Sequence, residues 1–149
     1  MANMRLDNAR DAEQIRRMEV LASRGDCHFC GSDEEFVRKH TAPKIRSGDH
    51  WFIVKNDFPY PGSVHHYLIV SMRHITRLEE TKIGARLELF AAIAWLESHL
   101  KVTGESIFVR TGDMSYTGAT LDHLHFHFLV GEKKTNETEW LTVTLGYKK

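Results

Sequence analysis

The strongest pattern of apolar positions in the chain runs from Ile83 to Leu100. Its apolar residues recur every three or four positions, the spacing that gives an α-helix one broad apolar face. They are Leu87, Leu89, Phe90, Ile93, Ala94 and Leu96. The segment therefore predicts the main helix. A weaker pattern over about residues 8–23 predicts an N-terminal helix, with Asn8 as its N-cap and Gly25 just beyond its end.

Several shorter segments carry the β-branched and aromatic residues that favour strands. The predicted strands are 36–41, 50–56, 65–71, 106–111, 123–130 and a last one over about 140–146. Segment 43–49 is predicted to be a loop, and 57–63 to be irregular because its prolines and glycine do not fit a strand interior. Runs of strands with two helices interspersed predict an α+β fold: an antiparallel sheet of about five strands, one main helix and an extra N-terminal helix.

Length and charge narrow the class of protein. The 149 residues predict a single domain, 1–149, large enough to bury a core. Lys plus Arg and Asp plus Glu both number 20, and no dense basic stripe appears, which argues against a nucleic-acid backbone as the partner. A small anionic substrate stays open, because one pocket can be electropositive in a neutral protein.

Nothing in the sequence indicates secretion or a membrane. The N-terminal segment is polar and has no apolar signal-peptide core, and no segment has the apolar length that spans a membrane. The two cysteines lie only three positions apart and form no secreted disulfide framework. A cytoplasmic protein is expected.

Three histidines alternate with apolar residues in the segment HLHFHFLV, 123–130. On a strand, His123, His125 and His127 would share one face, and the apolar residues between them would share the other. They could be surface histidines without a role, metal ligands or catalytic groups. Since His123 and His127 would lie roughly 13 Å apart at Cα, a single ion with bonds of about 2 Å could take one or two of the three.

The segment TLDHLHFHFLV resembles the signature of the histidine triad (HIT) superfamily, in which three histidines alternate with apolar residues. The resemblance extends upstream, because WFIVKNDFPYPGSVHHYLIVSMRHITRLEE is similar to the two strands and the turn that precede the main helix in that superfamily. It covers roughly residues 27–131 and leaves the N-terminal helix and segment 140–146 outside.

The resemblance implies an enzyme that releases a nucleoside 5′-monophosphate, with adenine nucleotides as the expected substrates. His125 matches the nucleophile, which attacks the α-phosphate and forms a covalent nucleotidyl-histidine that water then hydrolyses. His127 matches the position that contacts the phosphate and the leaving group, and His123 the position that braces the nucleophile. Because the third position is a histidine, the resemblance favours hydrolysis of phosphoramidates or dinucleoside polyphosphates. This chemistry requires no cofactor.

The resemblance adds two nucleotide-binding residues and two departures from the family pattern. Asn56 matches the end of a strand that contacts the ribose hydroxyls, and Thr120 matches a hydroxyl residue near the phosphate. Gly112 stands where many members have an asparagine, and Ala119 where many have a glutamine. These two substitutions affect contacts to the phosphate or the leaving group.

The cysteines form a C-x-x-C pair, Cys27 and Cys30, outside the thioredoxin-like context that a redox pair requires. Several HIT members bind a structural zinc through two cysteines, a histidine after the third strand and the first triad histidine. The matching histidines here are His74 and His123, so the resemblance implies a structural zinc on these four residues.

The remaining histidines are predicted to have no part in the chemistry: His66 is structural, and His28, His40, His50, His65 and His99 lie on the surface or in loops. The resemblance also implies a homodimer formed through the main helix and the sheet edge. Three alternative functions stay open: a metal-dependent enzyme built on His123 and His125, a nucleotidyl transferase or phosphorylase, and a non-catalytic nucleotide-binding module.

Overall fold

The computed structural model describes residues 4–149 and contains one five-stranded antiparallel sheet with the strand order β1-β2-β3-β5-β4. The strands are β1 (Lys44–Ser47), β2 (Trp51–Lys55), β3 (His65–Ser71), β4 (Ser106–Val109) and β5 (His125–Val130). The helices are α1 (Ala12–Ser23), α2 (Asp33–Lys39), α3 (Ile83–Leu100) and α4 (Met114–Thr117), with 3-10 turns at Leu6–Asn8 and Leu78–Glu80. The predicted α+β class and five-stranded sheet are confirmed.

Helix α3 covers one face of the sheet, as its apolar pattern predicts. It begins and ends at the predicted residues, and its fully buried Leu96 belongs to the same apolar cluster as Phe128 of β5. The indole of Trp51 in β2 donates a hydrogen bond to the carbonyl of Ala85 at 2.7 Å. This packing of α3 supports the sheet, including strand β5, which carries the histidines.

The opposite face of the sheet carries a second apolar cluster. Phe36 of α2 and Phe29 of the cysteine segment pack there against Phe52 and Leu68. The register of β3 and β5 pairs Leu68 with His127 and Val70 with His125, so these two histidines project from this second face. The predicted separation of histidines from the α3 core is confirmed for both.

Helix α1 packs beside the second apolar cluster, on the same face of the sheet. Its buried Met18 and Leu21 cluster with Met4, and Leu121 packs against them just before the histidine segment. The helix is capped by Asp11, whose carboxylate accepts a hydrogen bond from the Gln14 backbone N–H at 2.8 Å. The predicted cap, Asn8, was wrong: Asn8 ends the preceding 3-10 turn and donates its amide to the Ala119 carbonyl.

The strand predicted over 36–41 was wrong, because most of this segment belongs to helix α2. Ser32 accepts a hydrogen bond from the Glu35 backbone N–H, and the Glu35 carboxylate accepts one from the Ser32 backbone N–H at 2.7 Å. This capping box starts a helix immediately before the apolar Phe36. Local capping therefore outweighs the strand preference of the following residues.

Two further segments differ in secondary structure from the predictions. Segment 43–49 contains the edge strand β1, paired with β2, where a loop was predicted. Segment 140–146 is irregular, although its apolar residues alternate as in a strand. Its backbone does not pair with a sheet edge. The Thr144 carbonyl accepts a hydrogen bond from the Arg110 side chain, and the Gly146 N–H donates one to the carbonyl of Thr117, the last residue of α4.

Among residues 4–149, no helix combines the length and the apolar character needed to cross a membrane.

Candidate active site

His125 opens strand β5 and lines a pocket between the sheet and helix α1. Its Nδ1 lies 2.6 Å from the backbone carbonyl of His123. A carbonyl only accepts, so Nδ1 carries the proton and Nε2 keeps its lone pair. Burial lowers the pKa of His125 to about 4, against the effect of this hydrogen bond and with the help of the Arg110 charge. The imidazole is therefore neutral near pH 7, the state that a nucleophile needs.

His127 belongs to a chain of hydrogen bonds that begins at a backbone N–H. The Tyr60 N–H donates to Nδ1 of His66 at 3.1 Å, so the proton of His66 sits on Nε2. This Nε2 lies 2.9 Å from Nδ1 of His127, which must then accept. The chain leaves the His127 proton on Nε2, and His66 has the structural role predicted for it.

Burial and nearby charges keep the two imidazoles of this hydrogen-bond chain, His66 and His127, neutral. Burial lowers the pKa of His66 to about 3, and the charge of Arg10 acts in the same direction. The pKa of His127 falls well below its usual range because of burial, its histidine neighbours and the charges of Arg110 and Arg10. His127 also stacks on Phe108 of β4, with 4.4 Å between ring centroids. The ring is thus held on two sides.

The pocket brings together the three predicted nucleotide-binding residues and the predicted nucleophile. His125, His127, Asn56 and Thr120 all line it. The Asn56 side chain accepts a hydrogen bond from the Phe58 N–H at 3.0 Å and contacts the His66 ring. No hydrogen bond of the Thr120 hydroxyl is found within residues 4–149, so this group is unengaged in the pocket wall.

Sequence reasoning missed the basic residues of this pocket. Arg10, Arg17, Lys55 and Arg110 line it, and Asp57 is its one acidic residue within the part of the chain that the structure describes. These positions are scattered along the sequence and form no basic run, so only the fold brings them together. The pocket confirms that a chain of zero net charge can hold an electropositive site.

His123 and His74 meet the two cysteines in a separate cluster. His123 lies before the first residue of β5, because the strand begins two residues later than predicted. Its Nε2 donates to the Ser71 carbonyl at 2.7 Å, which leaves Nδ1 as the free lone pair. That Nδ1 lies 3.4 Å from Cys27 Sγ, 3.5 Å from Cys30 Sγ and 3.3 Å from His74 Nδ1.

These separations fit a tetrahedral metal site. Bonds of about 2.3 Å to sulfur and about 2.0–2.1 Å to nitrogen put tetrahedral donors roughly 3.3–3.8 Å apart. Cys30 Sγ also lies 3.3 Å from His74 Nδ1, and all four donor atoms lie within 4.8 Å of one another. Burial and the facing Cys27 raise the pKa of Cys30 to about 12, a cost that a bound divalent cation would remove. Within residues 4–149, His125 is part neither of this cluster nor of the other group that could hold a metal, which consists of His28, His40 and Asp57.

Two histidines predicted to lie on the surface or in loops are buried. His28 is 6 % exposed, and the side chain of His40 is 2 % exposed. Asp57 lies between them, with its Oδ2 3.2 Å from His40 Nδ1 and 3.2 Å from Arg17. Burial alone would raise the pKa of Asp57, but hydrogen bonds from His40 and Thr41 lower it to about 2. This ion-paired network joins the cysteine segment to the end of β2.

Comparison with known proteins places this architecture in a family. The sequence model of the HIT domain matches residues 38–134. No curated protein gives a significant match to the chain.

Solved structures share the fold at low sequence identity. A histidine triad protein from Clostridium difficile matches with a TM-score of 0.56 and 20% identity, covering 75% of this chain and 96% of its own. A HIT family hydrolase from Clostridium thermocellum gives a TM-score of 0.55 and 20% identity, over 78% and 96% of the two chains. A Zn-bound histidine triad family protein from Mycobacterium smegmatis gives 0.53 and 20%, over 77% and 81%. Since the family model spans more than half of its residues, the chain belongs to the HIT domain family.

Proposed function

We propose that this HIT-domain chain is a nucleotidyl hydrolase that releases a nucleoside 5′-monophosphate through a covalent intermediate on His125. The observation that carries the proposal is the hydrogen bond from His125 Nδ1 to the His123 carbonyl. It fixes the tautomer whose Nε2 lone pair is available in a pocket lined by cations. The name of the Clostridium thermocellum neighbour, a HIT family hydrolase, is in keeping with this class of activity.

The proposed reaction has two displacements at the α-phosphorus. The lone pair of His125 Nε2 forms a P–N bond while the bond to the leaving group breaks and its electron pair leaves with that group. Water then attacks the same phosphorus and gives up a proton to the solvent, the P–N bond breaks with its electron pair returning to His125 Nε2, and the nucleotide departs as the monophosphate. His127 presents Nε2–H beside the reacting centre, where it hydrogen-bonds the phosphate or the departing atom.

The pocket supports a nucleotide as the substrate. Its four basic residues attract phosphate, and apolar Met18, Leu21 and Leu68 line the same pocket and offer contacts to a base. Asn56 is placed for the ribose hydroxyls, and Thr120 for the phosphate, as the family resemblance implies. Adenine nucleotides in phosphoramidates or dinucleoside polyphosphates are the proposed substrates.

We also propose that the four-residue cluster binds a structural Zn²⁺. The ligands would be Cys27, Cys30, His74 and His123, whose donor atoms have tetrahedral separations. The Zn-bound Mycobacterium smegmatis neighbour is consistent with such a site. A metal held there would stiffen the approach to β5 and leave His125 to its chemistry, and no bond-making step would involve the ion.

The activity test compares the wild type with His125→Ala on adenosine 5′-phosphoramidate and diadenosine tetraphosphate, with AMP release followed by chromatography. The wild type should release AMP, and the variant should lose about a thousandfold or more of kcat. His65→Ala is the matched control, because His65 lies at the start of β3, outside the pocket.

Each alternative function predicts a different outcome of this test. Monophosphate binding without turnover would favour a binding module, and activity that chelators abolish and one ion restores would favour a metal-dependent enzyme. Transfer of the nucleotidyl group to phosphate would favour a phosphorylase. Unchanged turnover by His125→Ala would refute the proposed intermediate.

A homodimer is proposed from the exposed side of α3 and the β4 edge of the sheet. Ile83, Leu87 and Phe90 are 72%, 69% and 72% exposed, although they are apolar residues of one helix. Strand β4 is an edge strand, and its Ile107 is also exposed. Such an apolar patch is typical of a protein–protein contact. Light scattering should give the dimer mass for the wild type and the monomer mass for Leu87→Glu/Phe90→Glu; a monomeric wild type would refute the dimer.

A further inference from the structure

The pocket lacks two of the side chains that the family pattern would aim at phosphate. Gly112 stands at one of these positions, with φ of +83°, and donates its N–H to the Thr76 carbonyl at 2.9 Å. Ala119 stands at the other and is buried. Neither residue offers a side-chain donor. The charge of a polyphosphate would therefore have to be met by other residues.

Arg110 lies where such a donor is needed. It follows the last residue of β4, and the antiparallel register that pairs Val109 with Phe126 would place it opposite His125. One guanidinium nitrogen, Nη1, lies 3.4 Å from His127 Nε2. Since His127 Nε2 carries its proton, this contact joins two donors rather than a donor and an acceptor. An acceptor placed between them could take a hydrogen bond from each.

A second donor of Arg110 is also unused. Its Nε is buried and has no hydrogen-bond partner within residues 4–149. Leaving a buried charged donor unpaired is costly, and such groups are uncommon in folded proteins. A phosphate oxygen would satisfy it, because a guanidinium presents its donors in a planar fork that fits phosphate.

Tyr60 brings a second arginine to the same side of the pocket. The Arg110 Nη2 donates to the Tyr60 hydroxyl at 2.7 Å, and the Arg10 guanidinium lies over the Tyr60 ring, 4.0 Å from its centroid. Tyr60 is 3 % exposed and stacks on His66, so it is a rigid support. The two cations therefore converge beside Tyr60 and His127.

This arrangement separates the pocket into two functional parts. In the proposed reaction His125 attacks the α-phosphorus and His127 meets the leaving group, and the contacts with His127 and Tyr60 put Arg110 and Arg10 at the His127 end of the pocket. Asp57, the acidic residue of the pocket, is already paired with Arg17 and His40. Its charge does not neutralise Arg10 or Arg110.

We propose that Arg110 and Arg10, joined by Tyr60, form an anion clamp for the leaving-group phosphates, so that the preferred substrates are phosphoanhydrides such as dinucleoside polyphosphates. The inference rests on the proposed function and names the substrate class within it. Arg110 would hold the phosphate next to the scissile bond, and the more exposed Arg10 the next one along. A phosphoramidate, whose leaving group carries no phosphate, gains nothing from the clamp.

The experiment measures kcat/KM of Arg110→Gln for diadenosine tetraphosphate and for adenosine 5′-phosphoramidate. The tetraphosphate value should fall about 10- to 100-fold, because one or two charge-assisted hydrogen bonds are lost. The phosphoramidate value should fall by no more than about threefold. Arg10→Gln should show the same selectivity with a smaller loss, and Arg110→Lys should keep part of the activity because the charge remains.

Two controls separate the clamp from a structural role. Tyr60→Phe removes the hydroxyl that Arg110 contacts but keeps both charges, so it should lower the tetraphosphate value far less than Arg110→Gln. Arg16→Gln removes a charge from the exposed side of α1, outside the pocket, and should leave both values unchanged. An equal loss on the two substrates, or no loss on the tetraphosphate, would overturn the clamp while the hydrolase stands.

A binding measurement keeps the clamp testable if the wild type hydrolyses neither substrate. Inorganic tripolyphosphate is titrated into the wild type and Arg110→Gln by calorimetry. Binding by the wild type that weakens about tenfold or more in the variant supports the clamp even where the hydrolase fails. No binding, or equal binding by both proteins, overturns it.

Discussion

The first and last histidines of the triad occupy two different environments built from the same kind of parts. His123 meets His74 and two thiols, with the four donor atoms turned toward one point. His127 meets His66, and their hydrogen bond continues to a backbone N–H and is flanked by arginines. In both cases a histidine of the triad is paired with a histidine in or just after β3.

The difference shows that the partner of each imidazole determines its chemistry. A carbonyl, that of Ser71, takes the Nε2 proton of His123 and leaves Nδ1 for a metal. A backbone N–H, that of Tyr60, acts through His66 and leaves His127 as a proton donor toward the pocket. His125 lies between them with its Nε2 lone pair available. One alternating sequence pattern thus holds two tautomers, with the proton on Nε2 in His123 and His127 and on Nδ1 in His125.

The largest expected effect comes from removing the thiols at the metal end. Cys27→Ser/Cys30→Ser should lose the bound zinc, and its melting temperature should fall by at least about 10 °C, since metal binding contributes to folding stability. Zinc content by plasma mass spectrometry and thermal denaturation by circular dichroism measure both effects. His65→Ala is the control. A variant that keeps one zinc per chain would show that the two ends are not chemically distinct.

His66→Ala tests the other end. It leaves His127 Nδ1 and the Tyr60 N–H without their partner, so kcat should fall about 10- to 100-fold. Zinc content should stay at the wild-type value, because His66 lies outside the metal cluster. Loss of zinc in this variant, or full activity, would contradict the division of roles between His66 and His74.

Asp57→Asn examines the network that joins the cysteine segment to the end of β2. The change weakens the pairing with Arg17 and His40, and the free energy of unfolding should fall by about 1–2 kcal/mol. Urea denaturation gives this value, and Asp49→Asn on the exposed surface is the control. A neutral result would mean that the other contacts of the cysteine segment hold it in place, among them the hydrogen bonds from Lys39 to the carbonyls of Cys27 and Cys30.

Asn56→Ala is expected to have the smallest effect. Loss of the ribose contact should raise KM for a ribonucleotide substrate by about three- to tenfold. The matched control is the 2′-deoxy analogue, whose KM should change less in the same variant. An equal rise for both substrates would indicate that Asn56 acts through its contact with His66 rather than on the ribose.

The elements with a long pattern were predictable, and those fixed by local bonds were harder to identify. Helix α3 has its predicted bounds because eighteen consecutive residues are rich in apolar residues, but these do not form the single face predicted: Leu89 and Leu96 are buried, whereas Leu87 and Phe90 are exposed. Helix α2 is short, and its start depends on the capping box of Ser32 and Glu35, whereas the prediction of a strand rested on the residues that follow. The alternation in segment 140–146 predicts a strand, but in the structure this segment bonds Arg110 and the last residue of α4, Thr117.

The candidate site divides in the same way. The triad, the C-x-x-C pair, His74 and Asn56 were identifiable because a family pattern gives their spacing. Arg110, Arg10 and the buried pair of His28 and His40 carry no such pattern. Their positions depend on which face each strand turns to the pocket and on where α1 packs. Only the folded arrangement brings them beside the triad.

The two end segments of the described chain meet beside the pocket, and this has a practical consequence. Arg5 and Asn8 bond the carbonyls of Thr120 and Ala119, just before the triad, while Tyr147 bonds the Asn8 side chain and Thr144 bonds Arg110. An affinity tag fused next to either segment would therefore disturb the contacts that these segments make with residues of the pocket wall. Assays that rank substrates should use protein from which the tags have been cleaved.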